Sequence, residues 1–184
     1  MNKNILSIFI ILTLIILSNL AYAQYLDLPR DSDGWTIFTP SADSRIMYVS
    51  EEGNDATGQV YSSTDFADPF NPTNEQAFAT YDAAFQNTRD GYPDWILFKR
   101  GEEFFDTVGW NLRSGRSNTE PFLIASYGDN GLSPLLNVPE GEPAVGLRYR
   151  DYEWVAISGL DFYAYTRDPE SPDFSSDAKG GQFA

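Results

Sequence analysis

The sequence predicts an all-β fold: short strands stacked as a β-solenoid, with one amphipathic helix ahead of most of them. Three observations point there. The apolar runs are only about four to six residues long, lie roughly 10–15 residues apart and have no helical period between them. The one convincing helical pattern comes once, ahead of most of the runs, where it could cap an open end of stacked coils. The runs are bounded by Gly-containing turns, and Ile157-Ser158-Gly159-Leu160-Asp161-Phe162 places a Gly between two short strands, where a coil turns a tight corner. A sandwich or a barrel shares the spacing.

Composition bounds the chemistry. The 184 residues suffice for one domain. The chain has 12 Lys and Arg against 27 Asp and Glu, a net charge of −15, and neither His nor Cys. Disulfides, thiol nucleophiles, Cys/His zinc sites and a Ser-His-Asp triad are excluded within it. Nucleic-acid binding is not expected, because it rests on clustered cations. With 42% hydrophobic and 15% aromatic residues, the chain can still form a core.

Residues 1–23 read as a signal peptide. A short polar start carries Lys3, Ile5 to Leu17 is almost wholly apolar, and Ala21-Tyr22-Ala23 supplies the small residues of a cleavage site. Cleavage is expected between Ala23 and Gln24. The apolar run is short for crossing a bilayer. The mature chain is expected to be secreted, extracellular or periplasmic, with no membrane attachment. Without disulfides it must hold itself by packing, repetition or ion binding. Its Asp-rich surface offers oxygen ligands, so Ca²⁺ is a possible cofactor and no other is evident.

Residues 24–44 form a leader with one apolar stretch, Trp35 to Phe38. Arg45 to Val49 reads as a strand, and Ala56 to Pro72 as a long surface loop. Ala77, Phe78, Tyr81, Ala84 and Phe85 share one helical face, with Thr73 to Gln76 as a capping box or a shorter start at Thr80. Further apolar runs follow at Trp95–Phe98, Phe104–Phe105, Trp110–Leu112, Phe122–Ala125, Leu135–Val138, Ala144–Leu147, Trp154–Ile157 and Leu160–Tyr163. The predicted organisation is thus 45–165 for the cap and first coils and 166–184 for a loop-like tail. That tail supplies no second cap, so a chain continuing past Ala184 is expected.

Within Met47 to Phe162 the sequence resembles the N-terminal region of secreted right-handed parallel β-helix proteins, the pectin-lyase-like superfamily. The resemblance rests on five elements. These are Tyr48-Val49-Ser50 with Gly53-Asn54-Asp55; Phe78 to Ala84 as a capping α-helix; and Asp94 to Phe104 with its Lys99-Arg100-Gly101 turn. The others are Ser114-Gly115 with Pro121 to Gly128, and Ile157 to Phe162. The loop from Ala56 to Pro72 is longer and more acidic than in the family.

The resemblance implies an exported polysaccharide-active protein, a lyase or hydrolase of acidic glycans whose catalytic residues lie on later coils, outside this chain. The alternative is a non-catalytic surface or adhesive protein that binds glycans or a partner. Its oligomeric state is not legible. Lys99 and Arg100 are candidate glycan contacts, or else a solvated turn with local ion pairs. Arg148 and Arg150 alternate along one side of a strand and could meet an acidic glycan, or form a charged strand edge. Asp27, Asp31 and Asp33, and later Asp168, Glu170 and Asp173, could contribute to Ca²⁺ sites, although neither run has the EF-hand pattern. Trp110, Tyr149, Tyr152, Tyr163 and Tyr165 could stack on sugars, or pack between strands.

Overall fold

The structure, a computed structural model, describes residues 26–146 and 151–177. Its strands are β1 (Arg45–Val49), β2 (Val60–Ser62), β3 (Trp95–Lys99), β4 (Glu103–Phe104), β5 (Phe122–Tyr127), β6 (Leu135–Asn137), β7 (Val155–Ile157) and β8 (Asp161–Tyr163). One helix, α1 (Tyr81–Phe85), and a 3-10 turn at Tyr165–Arg167 accompany them. The larger sheet has the order β2-β1-β3-β5-β7 and the smaller the order β4-β6-β8. From β3 onward the chain alternates between the two.

The expected start of an all-β, right-handed parallel β-helix with a capping α-helix is corrected by these elements. The larger sheet is mixed: β2 runs antiparallel to β1, while the β1–β3, β3–β5 and β5–β7 pairs are parallel. Among the described residues, α-helix is confined to a single short segment. The reason is physical. A short apolar run specifies burial, whereas the direction of pairing depends on which distant edge it meets. β2 arises inside the expected loop of Ala56 to Pro72 and covers the free edge of β1.

The helix is shorter than the apolar face suggests. Ala77 and Phe78 are extended instead, because β1 offers Phe78 a backbone partner on each side. The Phe78 N–H donates to the Tyr48 carbonyl at 2.8 Å, and the Ser50 N–H donates to the Phe78 carbonyl at 3.0 Å. The helix therefore starts after Thr80, whose hydroxyl accepts the Ala83 N–H at 3.2 Å. Asp55 holds that cap by accepting the Ala79 and Thr80 N–H groups at 2.8 and 3.0 Å. The Trp110–Leu112 and Ala144–Leu147 runs form no strand among the described residues. Only an isolated bridge joins Gly109 and Val145.

Both faces of the larger sheet are buried, which explains its near-continuous apolar strands. One face packs Met47, Val49, Ile96, Phe98, Phe122 and Ile124 against α1, Phe104 and Leu136. The other carries Ile46, Tyr48, Trp95, Leu97, Leu123 and Ala156, and is covered in part by Leu26, Phe38, Tyr61, Phe66 and Phe70. The long 56–72 segment thus acts as a lining of the sheet. Tyr48 shows why, meeting Tyr61 and Phe66 edge-on, each at 5.6 Å between ring centroids.

Candidate functional site

The covered face of the larger sheet does not stay filled along its length. Parallel register stacks Ile46, Trp95, Leu123 and Ala156 in one ladder, and Tyr48, Leu97 and Ala125 in the next. Each ladder ends on Ala at the β5–β7 side. The covering segments do not close down over these small residues. A groove of about 820 Å³ results, floored by Ala125, Ser126, Ala156 and Gly159 and walled by Trp35, Ile37, Phe38 and Phe70. Its size lies within the range of ligand sites.

Two arginines line this groove, Arg30 and Arg100, and none of its lining residues is a carboxylate. Arg100 follows β3, and its N–H donates to the Tyr127 carbonyl at 2.8 Å. Its guanidinium is fixed by neutral acceptors. Nε donates to the Asn130 carbonyl at 2.6 Å, Nη2 to the Gly131 carbonyl at 3.1 Å and Nη1 to the Ser126 hydroxyl at 3.0 Å. The ion pairs among the described residues involve Arg89, Lys99 and Arg116, not Arg100 or Arg30. Arg100 is therefore a positioned cation with no carboxylate at ion-pair distance among the described residues, in a chain of charge −15. Three guanidinium donors are spent on orientation, and the others remain for a ligand. Gly159 protects the arrangement: its φ is +69°, and a Cβ there would lie 2.6 Å from the Ser126 Oγ.

Lys99, the other half of the Lys-Arg pair, has a different environment. Its Nζ lies 3.1 Å from Glu102 and 3.9 Å from Glu52, and the Glu102 hydrogen bond holds its pKa above the usual lysine value. Glu102 also accepts from the Ser50 hydroxyl and the Glu51 N–H, at 3.1 and 2.7 Å. Lys99 is locally neutralised by these carboxylates. The structure does not bring Lys99 and Arg100 together, since neighbouring residues of an extended chain point to opposite sides. Arg148, Arg150 and Tyr149 lie outside the described residues, as do Ala23 and Gln24 of the expected cleavage site.

Among the acidic candidates, Asp31 and Asp168 hold local turns. Asp31 accepts the N–H groups of Asp33 and Trp35 at 3.0 and 2.8 Å, inside a turn. Asp168 accepts the Tyr163 hydroxyl and the Glu170 N–H at 2.7 and 2.9 Å, which lowers its pKa. Among the described residues no three acidic side chains converge on a metal position. Tyr163 and Tyr165 do not share a strand face: Tyr165 sits in the 3-10 turn and meets Phe105 edge-on, with centroids 6.3 Å apart. Trp110 is part-exposed, and its carbonyl lies 3.4 Å from the Tyr152 hydroxyl.

Sequence reasoning missed Arg30, Trp35 and Ser126 as groove residues. Only Trp35 carried a signal, as a large aromatic beside Gly34 in an otherwise polar turn. The groove joins segments far apart in the chain, so its membership is not written locally. No family model, curated protein or solved structure matches the chain.

Proposed function

We propose that this chain binds an acidic polysaccharide along the β5–β7 groove, as the N-terminal part of an exported glycan-binding protein. The observation that carries the reading is Arg100, a half-buried and oriented guanidinium with no carboxylate partner among the described residues. A carboxylate or sulfate on a sugar is the kind of group its free N–H donors would pair with. Open, partly apolar walls suit a chain ligand that enters and leaves along the groove. Binding is favoured over lyase or hydrolase chemistry here, because general acid–base catalysis needs a titratable group within reach and no carboxylate lines the groove. Export is part of the proposal and rests on residues 1–23. Mass spectrometry of secreted protein should find Gln24 at its N-terminus.

The test is calorimetric titration of the purified mature protein with polygalacturonate, alginate and a neutral glucan, at low and moderate salt, with chelator and with added Ca²⁺. Binding to the acidic polymers that weakens with salt, survives chelation and drops at least tenfold in Arg100→Gln is expected. Equal binding by Arg100→Gln, or no acidic polymer bound at low salt, overturns the proposal. Binding seen only with Ca²⁺ would move the anion contact away from Arg100 and count equally against it.

A further inference from the structure

Trp35 stands at the groove with 74% of its surface exposed, in a chain whose other described aromatics are mostly packed. Phe105 is as exposed, at 75%, but does not line the groove, whereas Trp35 and Ile37 together place exposed apolar surface on one wall of a concave site, the setting in which such surface marks an interaction. Its presentation is built rather than incidental. Residues 30–36 form a tight hairpin, with Arg30 bridged antiparallel to Thr36. The Asp31 N–H donates to the Trp35 carbonyl at 2.9 Å, and the Asp31 carboxylate accepts the Trp35 N–H at 2.8 Å. The chain reverses through Gly34, whose φ of +88° a residue with a side chain rarely adopts. Ile37, two residues on, donates its N–H to the Pro29 carbonyl at 2.8 Å and is itself 42% exposed along the same wall. The turn holds the indole out without using it to fill the core.

Resting on the polysaccharide reading of the groove, we infer that Trp35 is the stacking platform for a sugar ring, while Arg100 takes the acidic group. The ligand class that follows is an acidic oligosaccharide that offers both an anion and an exposed C–H face of a pyranose ring. The C–H groups of such a face are weakly positive and meet the negative face of an aromatic ring. A rigid turn lowers the ordering cost of that contact. Stacking is indifferent to salt, whereas the Arg100 contact is not. The two residues therefore contribute separable parts of the affinity.

The experiment titrates galacturonate oligosaccharides into wild type, Trp35→Ala, Trp35→Phe and Arg100→Gln, following tryptophan fluorescence and heat. Trp35 is exposed, so its variants should melt like wild type, and this is checked first. Wild type should show a blue shift on binding that Trp35→Ala lacks, although Trp95, Trp110 and Trp154 remain. Trp35→Ala should bind about tenfold more weakly with an unchanged salt dependence, Trp35→Phe should recover most of the loss, and Arg100→Gln should flatten the salt dependence. If wild type binds with salt-sensitive affinity while Trp35→Ala binds equally well, the stacking inference is overturned and the groove reading stands. If wild type binds none of the oligosaccharides, both are overturned.

Discussion

Replacing Asp94 by Ala should be among the most destabilising changes that leave the groove untouched. Asp94 precedes β3, and its side chain is fully buried. One carboxylate oxygen accepts the Arg45 N–H at 2.9 Å and Arg89 Nη2 at 2.6 Å; the other accepts the Arg89 N–H at 2.9 Å and Nε at 3.0 Å. It thereby ties the start of β1, the segment after α1 and the entry to β3. Arg89 lies over the Tyr92 ring at 3.9 Å and donates to the Asp43 carbonyl at 2.7 Å, so it is anchored even without Asp94. Removing one partner of a buried pair costs about 3–5 kcal/mol. The Arg89 side chain is 26% exposed, so water can reach part of it and the guanidinium share falls at the low end. Two backbone N–H groups also lose their acceptor, at about 1–3 kcal/mol each where water cannot replace it. Taking the low end of each contribution, a total of about 5 kcal/mol is expected, against a typical domain stability of about 5–15 kcal/mol. For a chain of this length that lowers Tm by about 10–20 °C. Urea unfolding followed by circular dichroism, with calorimetry for Tm, measures it. Asp94→Asn should recover little, because its amide would point N–H groups at N–H groups. A loss below about 1 kcal/mol in both variants would refute the view that Asp94 is the junction of these three segments.

Other outcomes follow from the same structure. Gly115→Ala places a Cβ 2.5 Å from both the Phe122 N and the Trp154 carbonyl oxygen, so the β5–β7 backbone must shift; a loss of about 2–3 kcal/mol in urea unfolding is expected. The Arg116 hydrogen bond holds the Asp43 carboxyl below its ordinary value, so its contribution is present above the unfolded value of about pH 4 and is lost as pH falls through the folded one. The Tm gap between wild type and Asp43→Asn at pH 7 should therefore close in strong acid. Burial pushes Asp106 the other way, so its charge costs stability at neutral pH and the cost is relieved on acidification. Wild type should gain on Asp106→Asn as pH is lowered from 7 towards 4, measured by Tm. Lys99→Gln removes a half-buried pair, but Glu102 keeps the Ser50 hydroxyl and Glu51 N–H as donors, so the change should cost about 1 kcal/mol and should leave polysaccharide binding unchanged in the titration used for Arg100.

Much of the strand content was legible. Trp95–Phe98, Phe122–Ala125 and Leu135–Val138 are runs whose burial could be read from apolarity and flanking turns, and they became β3, β5 and β6. The antiparallel edge strand β2 was not legible. Val60-Tyr61-Ser62 sits among Ser, Thr, Asp and Gly, and became a strand only because the edge of β1 lay open beside it. The helix was half legible for a related reason. Ala77 and Phe78 satisfy a helical period, yet the backbone partners offered by Tyr48 and Ser50 outcompete the first turn.

The sequence by itself determined the charge balance, the excluded chemistries, the positions of most strands and the buried character of the central ones. These follow from composition and from patterns a few residues long. The tertiary structure alone decided the mixed pairing, the different environments of Lys99 and Arg100, and the groove. Those depend on register between strands far apart in the chain, where the side chains taper from Tyr48 through Leu97 to Ala125 and leave space. No local window contains such a taper, because hydrogen bonding across strands, not sequence proximity, brings its members together.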